Sequence, residues 1–155
     1  MTMRMSLFLK ETRVILELDK TDKDGVLTQL AGVLAADISG TRPRRILDIF
    51  WERERLGSTG IGQGIAVPHG RLPGLPAPIA AMGRSRGGVE FAAMDGQPVH
   101  LVMALLFPPE AHETHLQALA TVTRLLRQPH SHRRLMLAMD RESLYQAALL
   151  TPDSP

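Results

Sequence analysis

A glycine-rich run that ends in a single histidine is the segment of this chain best suited to chemistry. Residues 57–70 read G-S-T-G-I-G-Q-G-I-A-V-P-H-G and hold five of the thirteen glycines in the sequence. Glycine allows backbone N–H groups to approach a ligand closely, and a loop of such groups can form an anion-binding concavity. A neutral imidazole is a competent nucleophile. The run therefore predicts a site that handles phosphate, with His69 as the acceptor.

The spacing of these glycines differs from that of the two common nucleotide-binding loops. A Walker A motif would require lysine at the position of Gln63, and a dinucleotide-binding fingerprint would require glycine at Ile65 or Val67. The other interpretation is a flexible linker that happens to contain a histidine. Such linkers are usually rich in serine, whereas this run continues into Ile-Ala-Val. The loop is therefore not predicted to bind ATP or NAD, and no cofactor is expected.

Several neighbouring groups could stabilise a phosphoryl group on His69. Arg53 lies near the end of a predicted helix just before the run, where its guanidinium could hold phosphate oxygens through two hydrogen bonds. The alternative for Arg53 is pairing with an adjacent glutamate on the same helix. Ser58, Thr59 and Gly60 are further candidates for phosphate binding. The two hydroxyls could equally cap nearby backbone groups, as such side chains often do.

A second pair of histidines lies far along the chain. His112 and His115 are three residues apart on a predicted helix and therefore share a face. His112 is expected to be exposed. His115 is expected to lie close to His69, because both follow predicted strands and ligand sites in open α/β sheets lie at the carboxyl ends of strands. The segment H-E-T-H is one residue short of the zinc-binding H-E-x-x-H pattern, and neither a cysteine nor a clear third ligand accompanies it. No metal site is predicted. A metal-dependent hydrolase built on these two histidines and His69 remains an alternative that an experiment can separate.

Composition narrows the class of protein. The chain has no cysteine, which excludes disulfides and cysteine nucleophiles and is compatible with a reducing cytoplasm. The formal net charge is only +2, and aromatic residues make up 4% of the chain, so the scattered arginines indicate solvated helix faces rather than a nucleic-acid surface. No stretch approaches the ~18 consecutive apolar residues of a membrane span. A cytoplasmic protein without membrane insertion is expected.

The hydrophobic pattern predicts an α/β fold with a mixed central sheet. One domain is expected over residues 1–150, with a disordered tail at 151–155. The predicted elements are a strand over 14–18, a helix over 26–34, a helix from Pro43 stopped by Gly57, short strands over 65–67 and 79–82 separated by a turn over 71–76, a long buried strand over 99–107, and helices over 112–127, 132–139 and 141–149. On the helix over 112–127 the residues expected to face the core are Leu116, Leu119, Ala120, Val122, Thr123 and Leu126.

Four segments of the chain carry a resemblance to a known family. They read W-E-R-E-R-L-G, G-S-T-G-I-G-Q-G-I-A-V-P-H-G, D-G-Q-P-V-H-L and T-H-L-Q-A-L-A, in this order. Together they resemble the fructose/mannitol-type enzyme IIA domains of the bacterial phosphotransferase system, and the nitrogen-regulatory IIA proteins most of all. The likeness extends from about Val14 to Leu150. Many relatives carry asparagine where this chain has Gln63.

The resemblance implies a function and a set of site residues. It implies a phosphotransferase in which His69 accepts a phosphoryl group from an HPr-like phosphocarrier protein, and in which Arg53 and His115 match active-site residues. It also implies a mixed sheet flanked by helices on both sides. The onward partner would be a regulatory target protein in nitrogen-type signalling or, alternatively, the separate IIB component of a sugar transporter. A binding module whose loop docks a partner without turnover is a further alternative.

Overall fold

The computed structural model describes residues 4–110 and 112–150, and the predicted tail at 151–155 lies outside them. Within these residues a six-stranded sheet is accompanied by five α-helices and two short 3₁₀ helices. The strands are β1 (Val14–Ile15), β2 (Gly60–Gly62), β3 (Ile65–Ala66), β4 (His69–Arg71), β5 (Ile79–Val89) and β6 (Val99–Phe107). The helices are α1 (Lys23–Ala35), α2 (Pro43–Glu54), α3 (His112–Arg127), α4 (Pro129–Leu137) and α5 (Arg141–Leu149), with 3₁₀ turns at Met5–Leu7 and Glu11–Arg13.

The sheet is mixed, as the sequence predicts. Its strands run in the order β1–β5–β6–β3–β2, and β4 also pairs with β6. The β5–β6 and β2–β3 pairs are antiparallel, whereas β1–β5, β3–β6 and β4–β6 are parallel. Because β3 pairs with Leu101 and Val102 and β4 pairs with residues 105–107, the two short strands follow the same edge of β6 in succession.

Helices cover both faces of the sheet, which confirms the predicted layers. Alternate residues of β6 point to opposite faces: Met103 and Phe107 join the core beneath α3, α4 and α5, whereas Val102 and Leu106 join the core beneath α1 and α2. A strand buried on both faces is nearly all apolar in sequence, which is why β6 was predictable with its bounds. Among the described residues, none of the helices has the length and apolarity needed to cross a membrane.

Several local expectations were wrong. The strand predicted over 79–82 continues to Val89, the one predicted over 14–18 covers only two residues, and α4 begins at Pro129 rather than near residue 132. Residue Arg71, expected in a turn, ends strand β4. The buried residues of α3 are Ala118, Thr121, Val122, Leu125 and Leu126, whereas Leu116 and Ala120, expected inside, are exposed.

Candidate active site

His69 is held by the backbone just before it. Between β3 and β4, Val67 and Pro68 interrupt the strand, so the carbonyl of Val67 remains free to accept a hydrogen bond from the His69 side chain. Its oxygen lies 2.7 Å from Nδ1 of the imidazole. A carbonyl can only accept, so Nδ1 carries the proton and Nε2 carries the lone pair. Local structure therefore fixes both the orientation and the tautomer of His69.

Arg53 in the last turn of α2 reaches the free nitrogen. Its Nε donates to Nε2 of His69 at 3.3 Å, and its Nη1 donates to the carbonyl of Gly57 at 2.9 Å. These bonds replace the ion pair with a neighbouring glutamate that the sequence left open. The close approach of α2 to β4 depends on Gly70, since a Cβ atom there would lie 2.2 Å from Cγ2 of Ile49. The glycine after the histidine is thus required by packing.

A buried charged network lies behind Arg53. The carboxylate of Glu54, whose side chain is 1% exposed, forms an ion pair with Lys23 Nζ at 2.8 Å. It also accepts the backbone N–H of Thr59 at 3.2 Å and the Thr59 hydroxyl. The ammonium of Lys23 lies 4.7 Å from the centre of the Phe91 ring, within the range of a cation–π contact. Sequence reasoning missed Glu54 and Lys23.

His115, in the first turn of α3, lies beside His69 on the side of the site opposite α2. The centres of the two rings are 5.7 Å apart and the rings meet edge to face at 79°. The predicted proximity of these residues, 46 positions apart in sequence, is thereby confirmed. The His115 ring also stacks on Phe107, the last residue of β6, at 4.1 Å and 9°. Phe107 thus fixes the plane of the second imidazole.

Both imidazoles favour their neutral form. The pKa of His69 is lowered mainly by burial, and Arg53 lowers it further, while the Val67 carbonyl and Glu54 act in the opposite direction. The pKa of His115 is lowered by burial and then by His69, Arg71 and His112. Since the pKa of an unperturbed histidine is about 6.5, both rings are mainly neutral at pH 7, which keeps the lone pair of His69 available.

Comparison with known proteins places this arrangement in a family. A sequence model described as the phosphoenolpyruvate-dependent sugar phosphotransferase system, EIIA 2, matches residues 7–149. The chain belongs to this family. This type-2 IIA is 38% identical over 130 residues to a nitrogen regulatory protein of Bradyrhizobium diazoefficiens, with 84% of each chain covered. It is 33% identical over 132 residues to a PTS system fructose-specific EIIA component of Haloferax volcanii, with 84% of this chain and 85% of that protein covered.

A solved structure supports the same assignment of fold. The crystal structure of the nitrogen regulatory protein IIA-Ntr from Neisseria meningitidis matches this type-2 IIA with a TM-score of 0.85. The match has 30% sequence identity and covers 92% of this chain and 97% of the other. The family and the fold that the sequence motifs predict are therefore confirmed.

The three predicted phosphate-binding residues of the IIA loop have protein partners. The Thr59 side chain is buried and donates to Glu54. The Ser58 hydroxyl accepts the N–H of Gly60 at 3.0 Å and contacts the carbonyl of Phe91 at 3.5 Å. These bonds correspond to the local capping that the sequence left open as the alternative. Direct contact of Ser58, Thr59 or Gly60 with phosphate stays a prediction.

The substitution at Gln63 has a backbone explanation. Its φ is +60°, in the left-handed region where asparagine is several-fold enriched over most residues. The side chain is exposed, and the backbone N–H donates to the carboxylate of Asp95 at 3.1 Å. An asparagine here, as the resemblance implies for relatives, would suit the conformation of this turn, and with Gln63 the turn keeps its bond to the D-G-Q-P segment.

The remaining histidines of the IIA chain divide into near and distant ones. His112, predicted to be exposed, is exposed, and its Nδ1 lies 3.0 Å from Nη2 of Arg71 at the edge of the site. His100 lies near the start of β6, at the opposite end of the strand from Phe107, with its Nδ1 2.9 Å from the carbonyl of Ser85. Across residues 4–110 and 112–150, no three histidine, cysteine or acidic side chains are grouped as they would be to hold a metal ion.

Proposed function

We propose that this type-2 IIA is a phosphocarrier whose His69 accepts a phosphoryl group at Nε2 from an HPr-like phosphohistidine protein. The observation that carries the proposal is the pair of bonds on the imidazole. Val67 holds the proton on Nδ1, and Arg53 lies at the free Nε2. The nucleophilic Nε2 of His69 and a guanidinium that can bind the phosphoryl oxygens are thus adjacent. This matters because phosphoryl transfer depends mainly on positioning and charge.

The transfer step needs no external base. The lone pair of Nε2 forms the new N–P bond while the N–P bond of the donor histidine breaks and its electron pair returns to the donor ring. The Nδ1 proton of His69 stays in place, so the positive charge that develops on the ring is stabilised by the Val67 carbonyl, 2.7 Å away. Reversal of the same step passes the phosphoryl group to a later acceptor.

Two side chains are assigned supporting roles. Arg53 exchanges its bond to Nε2 for bonds to the phosphoryl oxygens, while its Nη1 bond to the Gly57 carbonyl keeps the guanidinium in position. His115, neutral and clamped against Phe107, donates a ring N–H to a phosphoryl oxygen without accepting the group itself. Charge-assisted hydrogen bonds of this kind are about twice as strong as neutral ones.

The pathway that this carrier serves is proposed to be regulatory. The name of the Bradyrhizobium relative and that of the Neisseria structure both refer to nitrogen regulation. The onward partner would then be a regulatory target protein in the cytoplasm. The Haloferax protein, of similar length, is named as a fructose-specific EIIA component, which supports the alternative of transfer to a separate IIB component.

Labelling of one histidine tests the proposal. Incubation with phosphoenolpyruvate, enzyme I and an HPr-like carrier should produce an acid-labile, base-stable phosphate on the wild-type chain. His69→Ala should abolish this label completely while circular dichroism and thermal unfolding show an intact fold. The exposed His130 is the matched control, because His130→Ala should label as the wild type does. Undiminished labelling of His69→Ala would contradict the assignment, and so would an unlabelled wild-type chain.

A further inference from the structure

Four side chains form two neighbouring pairs between β4 and α3. His69 and Arg71 are two residues apart on β4 and therefore point to the same face of the strand. His115 and His112 are three residues apart on α3, one turn from each other on one side of the helix. The ring of His69 meets that of His115 at 5.7 Å, and Nη2 of Arg71 lies 3.0 Å from Nδ1 of His112. The second pair thus continues the first along the rim of the site.

A phosphoryl group on His69 would attract a second cation in addition to Arg53. A phosphoryl group carries close to two negative charges at neutral pH. Arg53 supplies one positive charge from the α2 side. His115 on the other side is kept mainly neutral by burial and by its cationic neighbours, so it supplies a hydrogen bond but little charge. The phosphoryl oxygens are then met by one guanidinium and one neutral imidazole, because the positive charge of the protonated His69 ring lies behind the N–P bond, next to the Val67 carbonyl.

Arg71 has the reach and the free donors to meet this charge. Residues two apart on a strand are about 7 Å apart, a separation that an arginine side chain can span. A guanidinium has five N–H donors, and the bond to His112 uses one of them. Arg71 also lowers the pKa of His115, which shows that its field acts on the site in the present arrangement.

We propose, on the basis of the function proposed above, that Arg71 is a second phosphoryl-binding residue and that His112 is the positioning residue that holds it. Arg53 and Arg71 then approach the phosphoryl dianion from the α2 and α3 sides of His69. His112 keeps the Arg71 side chain at the rim, so less conformational freedom is lost when the phosphoryl group arrives. The phosphoryl-binding site therefore includes Arg71 as well as Arg53 and His115.

The test measures the equilibrium and the environment of the phosphoryl group. The phosphoryl group is allowed to equilibrate between the HPr-like carrier and the IIA chain, and the phosphohistidine is titrated by ³¹P NMR. Arg71→Gln should lower the equilibrium constant for phosphorylation about tenfold and raise the pKa of the phosphoryl group, because a nearby cation favours its dianion. Arg71→Lys keeps the charge but loses the planar guanidinium with its paired donors, and should change both quantities in the same direction by a smaller amount.

His112 is tested in combination with Arg71. His112→Ala should lower the equilibrium constant about threefold by itself and change nothing further in an Arg71→Gln background, because it acts through the arginine. Arg124→Gln, which removes an exposed arginine farther along α3, is the matched control and should leave both measurements unchanged. An Arg71→Gln variant with wild-type equilibrium and wild-type ³¹P titration would overturn this inference alone. Absence of label on wild-type His69 would overturn the proposed function instead.

Discussion

The two helical layers support the candidate active site by different physical means. On the α1–α2 side the site is held by charge: Glu54 binds Lys23 and Thr59 in the interior, and Arg53 bonds directly to His69. On the α3 side it is held by shape, since His115 stacks on Phe107. The charged side needs every partner present, because a buried ion without its partner is costly. The stacked side depends on the contact area between the two rings, so its support weakens gradually as that area is reduced.

The largest effect is expected from the buried carboxylate. Glu54→Gln removes the partner of Lys23 and should lower the free energy of unfolding by about 3 kcal/mol, as breaking a buried ion pair does. Chemical denaturation followed by circular dichroism measures this loss. Glu52→Gln, two positions away on the exposed face of α2, is the matched control and should change stability by less than about 0.5 kcal/mol. Equal losses in the two variants would mean that the α2 side is not held by charge.

Arg53→Lys tests whether the charged side acts through geometry or through charge alone. Lysine retains the positive charge but cannot bond to both the phosphoryl group and the Gly57 carbonyl through a planar fork. The rate of transfer from the phosphorylated carrier should fall about thirtyfold, less than the hundredfold or more typical of removing a transition-state donor. Rapid-quench measurements give this rate, with Arg55→Lys as the exposed control. A wild-type rate would mean that the planar guanidinium of Arg53 contributes to transfer no more than a lysine does.

His115→Ala probes the stacked side of the site. The variant should still be phosphorylated, because the nucleophile and Arg53 remain, but transfer should slow by about tenfold as one hydrogen bond to the phosphoryl group is lost. Phe107→Leu offers a finer comparison, since it keeps His115 and removes only the ring on which it stacks. Its rate should fall between those of the wild type and His115→Ala. If labelling disappears in His115→Ala, the two histidines act as one unit and the proposed division of roles is wrong.

The smallest effect expected is a dependence of stability on pH. The pKa values of His69 and His115 are lowered on folding, so between those values and the unfolded value near ~6.5 the unfolded chain binds more protons. Stability should therefore fall as the pH drops below ~6.5 and level off above it. Urea midpoints at a series of pH values measure the slope. His69→Ala and His115→Ala should each flatten it, and a slope that survives in the double variant would assign the effect to other groups.

The sequence predicts the parts of this molecule that have long-range regularity or a distinctive motif. β6 is apolar except for His100 because both of its faces are covered, and Pro43 starts α2 at the first helical position. Placing both histidines after strands predicts that His69 and His115 lie close together. In the structure β3 ends beside Val102, and His69 itself begins β4 next to Leu105. Strands β2 and β4, of three residues each, are too short to show a period. β2 forms a tight hairpin with β3, whereas β4 pairs with β6, which is distant in sequence.

Two of the missed features did leave a signal in the spacing. Glu54 continues the line of Ile46 and Phe50 at intervals of four residues, so it lies on the buried face of α2 even though its neighbours are charged. On α3, the face that carries His115 also carries Ala118, Val122 and Leu125, and placing the histidine in the site would have predicted which side of the helix is buried. Leu116, a large apolar residue beside His115, favoured the wrong face of α3 as the buried one.

The bond between the Val67 carbonyl and Nδ1 of His69 has a practical consequence for detecting the proposed phosphohistidine. Phosphohistidine exists as two isomers that differ in which ring nitrogen is substituted, and this bond leaves only the nitrogen remote from the backbone open to the phosphoryl group. Reagents that discriminate between the isomers should therefore recognise one and ignore the other on this protein. Because the N–P bond is lost in acid, the modified chain would pass unnoticed through acidic peptide preparation, and isolation at alkaline pH would preserve it.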